Sequence, residues 1–223
     1  MPWQDPLETI MDREPEPLPL IEALRRSLVA WRPQAGQEAE SFELVAALTR
    51  LVLNEVTQLL EKEMLSSDPL VRCQVAELLG EMWCDSHDTY LLERLAHDDD
   101  WLVRRAAAVA LAQRRVPSAL AQIEARIHEG DADAEERVGL YYAAYRLSGE
   151  GKYFAKFIEG VHHEHYRVRC ATCNLLPDVV DRWNHDLVVH LVETQLAQED
   201  TVAAREALVD ALRTLGAGSS PGR

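Results

Sequence analysis

Glycine, aromatic residues and positive charge are all scarce in this chain, and each scarcity closes off a class of answer. Ten glycines occur in 223 residues, aromatic residues make up 6%, and β-branched residues never gather into alternating runs. A sandwich or barrel of short strands, which relies on turn glycines and period-2 patterning, does not fit. Lys and Arg number 23 against 38 Asp and Glu, a formal net charge of -15. Such a surface repels phosphate backbones, so nucleic acid is not an expected partner. No apolar run approaches the length of a membrane span, so no membrane partner is expected either. The opening stretch MPWQDPLETIMDREPEPLPL is acidic and proline-rich, without the basic start and apolar centre of a secretory leader. The four cysteines, Cys73, Cys84, Cys170 and Cys173, are too few for a secreted disulfide scaffold in a chain this long. These features predict a cytoplasmic protein with reduced thiols.

What the chain has in quantity is Ala, Leu, Glu and Arg, and they recur. DPLVRCQVAELLG (Asp68 to Gly80) is followed by DWLVRRAAAVALA (Asp100 to Ala112), DAEERVGLYYAAY (Asp133 to Tyr145), HYRVRCATCNLLP (His165 to Pro177) and TVAAREALVDALR (Thr201 to Arg213). All five align on one arginine: Arg72, Arg104, Arg137, Arg169 and Arg205, spaced by 32, 33, 32 and 36 residues. Three residues after it stands Val75, Ala107, Leu140, Thr172 or Leu208; seven after it, Leu79, Leu111, Ala144, Leu176 or Leu212. That period gives a helix with one packed face. Another apolar-periodic segment precedes the arginine segments, as in LVVHLVETQLAQED before the last. Helix, short turn and helix at this interval predict an all-α solenoid of about five to six helical hairpins. Asp68, Asp100 and Asp133 each stand four residues before their arginine, where an Asp caps the helix N-terminus. Each arginine one turn later is placed to reach a cap carboxylate in its own or an adjacent repeat, predicting an Asp–Arg ladder along one edge.

The pattern D-x-x-V-R-x-x-A-x-x-x-L-G, best seen in Asp68–Gly80 and Asp100–Ala112, resembles the HEAT-repeat family, in the short bacterial form first noted in phycobilin lyases. The resemblance covers about residues 55 to 213. Departures are Glu136 where valine is usual, and His165 and Thr201 in place of the cap Asp. On this basis residues 18–216 form one solenoid domain, with atypical cap helices over 18–65, an irregular acidic segment over 1–17 and a disordered tail over 217–223.

The resemblance implies that the second helix of each pair lines the concave face. Positions two, five and nine after each arginine then face a partner. Candidate contacts are Gln74, Glu77, Glu81, Val109, Gln113, Tyr142, Arg146, Asn174, Asp178 and Asp210, with Tyr142 expected to be exposed.

One segment, HHEHYRVRCATC (His162 to Cys173), has the look of a metal or redox site. On the repeat alignment Cys170 falls where Cys73 and Arg105 stand, and Cys173 where Ala76 and Ala108 stand, inward. The histidines fall in the turn. Scaffold explains each residue type, and a thioredoxin-like role lacks its βαβ setting. A zinc site built from His163 or His165 with Cys170 and Cys173 remains the rival reading. No cofactor and no metal is expected. The expected function is non-enzymatic: a module that binds a basic protein, such as an adaptor or a bacterial immunity or antitoxin-like inhibitor. The alternative is a bilin-lyase-like or small metal-dependent enzyme.

Overall fold

The computed structural model describes residues 60, 63–81 and 87–216. The irregular segment over 1–17, the cap helices over 18–65 except residues 60 and 63–65, and the tail over 217–223 lie outside the described residues. All that is described belongs to one compact unit that begins at Leu59. Among the described residues nine α-helices have defined bounds, and there is no strand. They are α1 (Pro69–Glu81), α2 (Asp88–His97), α3 (Trp101–Gln113), α4 (Leu120–Glu129), α5 (Ala134–Ser148), α6 (Gly151–Ile158), α7 (Tyr166–Leu175), α8 (His185–Gln198) and α9 (Val202–Thr214). Single 3-10 turns lie at Pro117–Ala119, Glu159–His162 and Leu176–Asp178.

Each odd-numbered helix carries the repeated arginine as its fourth residue, followed by the apolar stripe. α1 packs on α3 and α3 on α5; α5 meets α7 over a smaller interface, and α7 packs on α9. The even-numbered helices flank this row: α2 lies on α3, α4 on α5, α8 on α9, while α6 returns onto α5. The core is the stripe read from the sequence. Val75, Ala107, Leu140, Thr172 and Leu208 are all buried, as are Leu79, Leu111, Ala144, Leu176 and Leu212. Removing these apolar groups from water is the main favourable term in stacking one hairpin on the next.

Helix starts follow local chemistry. The side chains of Asp68, Asp100 and Asp133 accept the N–H of Leu70, Leu102 and Glu135 at 2.9, 2.8 and 2.8 Å, meeting donors that the first turn leaves unpaired. His165 and Thr201 make no side-chain cap bond to their helices. Gly149 ends α5 in the left-handed region (φ 72°), with its N–H donating to the Tyr145 carbonyl, a conformation that carries no side-chain penalty for glycine.

Close approach between the repeated helices depends on small residues. A Cβ on Gly139 would lie 2.7 Å from Arg105 Cγ and 3.5 Å from Val109 Cγ2, so α5 reaches α3 only with glycine there. Ala106, Gly139 and Ala171, each two residues after its arginine, are buried. In these three repeats that position faces a neighbouring helix, whereas Gln74 at the same place in the first repeat is exposed.

Candidate functional site

Three of the five repeated arginines, Arg72, Arg104 and Arg169, form a ladder, but its carboxylates are not those of the capping aspartates. Arg72 donates through Nε and Nη2 to the two oxygens of Asp98, at 2.9 and 2.8 Å, and through Nη2 to exposed Asp99 at 2.8 Å. Arg104 holds Glu136 through the same two nitrogens, at 2.9 and 2.9 Å. Arg169 holds Glu199, again through Nε and Nη2, at 2.6 and 2.6 Å. In each case the third nitrogen, Nη1, donates to a backbone carbonyl of the arginine's own entry turn: Ser66, Asp98 and His163, six residues earlier. Arg205 likewise donates to the Glu199 carbonyl. One guanidinium thus ties its own turn to an acid of the next repeat, side-on and bidentate. Asp68, Asp100 and Asp133 are helix caps instead, because the N–H groups of their own first turns occupy their carboxylates.

The acids that close the ladder are deeply buried. Glu136 is 0% exposed, Glu199 2% and Asp98 5%. Burial pushes the Glu136 carboxyl up, and the hydrogen bonds from Arg104 and then Arg126 more than reverse this, leaving it below the ordinary carboxylate value. Asp98 is lowered in the same way, with Arg72 and the Asp100 N–H offsetting burial. Glu199, held by Arg169 and further by Gln195 Nε2 and the Thr201 N–H, is drawn down to about 2. The sequence signal for Glu136 was the departure itself: a charge at a buried valine position requires partners, and Arg104 and Arg126 supply them.

The predicted contact residues divide into three groups. Glu77, Glu81, Val109, Gln113 and Asn174 line one cavity of about 290 Å³, shared by α1, α3 and α7. Its wall includes Arg105, whose buried Nε has no hydrogen-bond partner among the described residues. Cys73 also lines it; burial, then the Glu77 carboxylate, pushes this thiol up to about 12. Arg105 was not among the predicted contacts, although its place between the ladder arginine and a buried alanine marks it as flanking the inner row. A second group is a structural brace. Tyr142 is 0% exposed, not exposed as the sequence reading had it. Its hydroxyl donates to Asp178 Oδ2 at 2.8 Å, its ring packs on Phe157 with centroids 6.0 Å apart, and Arg146 donates to the Asp178 carbonyl. The turn Leu176–Asp178 covers this face of α5, which a helical period alone cannot reveal. The third group is peripheral: Gln74 and Asp210 are exposed, and Asp210 pairs with Arg213 at 2.6 Å.

The segment His162 to Cys173 is divided among separate tasks. His162 Nδ1 bonds to Gln195 Oε1 at 2.8 Å, and His163 Nδ1 accepts the His165 N–H at 3.1 Å. Cys173 is 1% exposed, and burial pushes its thiol up to about 12; Cys170 is raised for the same cause. Buried neutral thiols of this kind behave as small apolar residues. Among the described residues, no three His, Cys, Asp or Glu side chains converge as metal ligands would. No helix among them is long and apolar enough to cross a membrane.

Comparison with known proteins bears on the architecture. Residues 53–139 match the family model for HEAT repeats. No curated protein matches the chain. HEAT repeats are generally protein-interaction modules, and the arginine–carboxylate pairing recurs beyond the matched segment at Arg169. The matched residues carry HEAT repeats, and the stacked hairpins continue the same all-α architecture through the rest of the described residues.

Proposed function

We propose that the protein binds a basic protein partner in the inner cavity shared by α1, α3 and α7, acting without catalysis as an adaptor or as an inhibitor of the immunity or antitoxin kind in the cytoplasm. The observation that carries this reading is the cavity itself. It gathers Glu77 and Glu81 from one repeat, Val109 and Gln113 from the next and Asn174 from a third. Acids at its rim attract a cationic segment, and the apolar Val109 and Leu102 accept its aliphatic stems. The net charge of -15 adds steering of a basic partner over longer range.

Site-specific photocrosslinking tests it. A crosslinker at Gln113 should capture a basic protein in the source cell, whereas one at the exposed Ala121 on α4 should not. Association with the captured partner should slow as salt rises, and the charge reversals Glu77→Lys and Glu81→Lys should slow it further. Capture from α4 alone, or salt-independent association, would remove this reading.

A further inference from the structure

Among the described residues, one arginine inside the array, with a further repeat beyond it, lacks the carboxylate of its rung. Arg137 sits at the repeated arginine position of α5 and donates through Nη1 to the Ala132 carbonyl at 2.8 Å, matching the use of that nitrogen by Arg72, Arg104 and Arg169. Those three arginines give Nε and Nη2 to a carboxylate of the following repeat. Asp98 and Glu199 both lie six residues before the next repeated arginine; ahead of Arg169 that place is taken by His163. Among the described residues, Arg137 has no carboxylate partner. It lines a cavity of about 250 Å³ with Tyr141, Lys156, Glu159 and His163. The carboxylate already there, Glu159, is engaged by Lys156 at 2.9 and 3.1 Å. His163 Nδ1 accepts the His165 N–H, so the neutral ring that keeps this bond carries its proton on Nε2 and is a donor there.

We infer that Arg137 and His163 form a carboxylate-binding site, in which an Asp or Glu side chain of a protein partner, or a small carboxylic acid, enters side-on and completes the rung. The other rungs define the chemistry. A planar, two-oxygen acceptor meets Nε and Nη2 in parallel, as Glu136 and Glu199 do, and the fork of the guanidinium favours it over a spherical anion. Nη1 is already fixed on the Ala132 carbonyl, which limits the rotamer entropy lost on binding. The site lies on the turn edge of the array and does not depend on the inner-cavity reading.

The test uses the full chain with the arginine Nε–Hε signals followed by NMR. N-acetyl-glutamate amide, acetate, inorganic phosphate and chloride are titrated separately. The expected result is a saturable shift of the Arg137 signal with both carboxylates, weaker with phosphate and absent with chloride. Tighter binding of the capped glutamate than of acetate assigns the site to a protein side chain, and equal binding assigns it to a small acid. Arg137→Gln should abolish the response. His163→Glu should also abolish it by closing the rung from within, while raising the melting temperature; combining it with Arg137→Gln should remove that gain. Absence of a saturable shift, phosphate binding tighter than carboxylate, or a response that survives Arg137→Gln would overturn the proposal.

Discussion

The junction between α3 and α5 and the junction between α5 and α7 face the same structural problem with different residues. At the first, Glu136 sits fully buried between Arg104 and Arg126, and Gly139 lets the two helices touch. At the second, the corresponding arginine, Arg137, reaches a backbone carbonyl but, among the described residues, no acid, and His163 stands where a carboxylate would close the rung. The first junction is held by charge as well as apolar contact. The second relies on packing, on the brace from Tyr142 and Arg146 to the Asp178 turn, and on Gly160 seated against Thr172. A repeat motif therefore fixes where its arginine points without fixing what it meets, since the acid comes from the following repeat.

The largest test of this contrast is to remove the acid position at each junction. Glu136→Ala leaves two guanidinium groups without their buried counter-charge and should cost about 3–5 kcal/mol in urea unfolding. His163→Ala, at the other junction, should change stability by no more than about 1 kcal/mol, since no ion pair is lost. Equal losses would mean that the two junctions are held alike.

Acid provides the next test. Asp98, Glu136 and Glu199 all titrate below their ordinary values in the folded chain. Each therefore contributes stability that is complete above the unfolded carboxylate range and lost as pH falls through the folded value, which for Glu199 is about 2. The urea midpoint should drop steadily below about pH 4.5. Glu199→Gln should lower it at neutral pH and flatten its fall in acid.

Gly139→Ala should cost about 1–3 kcal/mol, because the new methyl meets Arg105 Cγ at 2.7 Å and the gain in helix propensity is smaller than the overlap. At the brace beyond α5, Tyr142→Phe should cost only about 0.5–1.5 kcal/mol, the worth of one hydrogen bond to the exposed Asp178. A larger loss there would show that the brace, and not apolar packing, holds the second junction.

These outcomes bear on what a sequence of this kind discloses. The stripe from Val75 to Leu212 was legible because helical periodicity and the repeat length agree on the same buried positions. The caps at Asp68, Asp100 and Asp133 were legible because their bonds are local. The ladder acids were not, since Asp98 lies 26 residues from Arg72, Glu136 32 from Arg104 and Glu199 30 from Arg169, and their pairing depends on how hairpins stack. Half of the predicted contact residues share the inner cavity. Tyr142 does not, because a 3-10 turn after α7 covers a face that the helical period alone leaves open. Arg105, aligned with Cys73 and Cys170, did not stand out as a contact because the repeat assigns that position no single residue type.

A stacked array unfolds according to how strongly each unit is coupled to its neighbour. The paired guanidiniums make that coupling stiff from α1 to α5 and again from α7 to α9. Arg137 leaves a seam between them. Under native conditions the amide protons of α7, α8 and α9 should accordingly exchange as one cohort, ahead of those of α3 and α5. A ligand that bridges the seam would merge the two cohorts into a single opening event, so that occupancy of one guanidinium is reported by hydrogens many residues away.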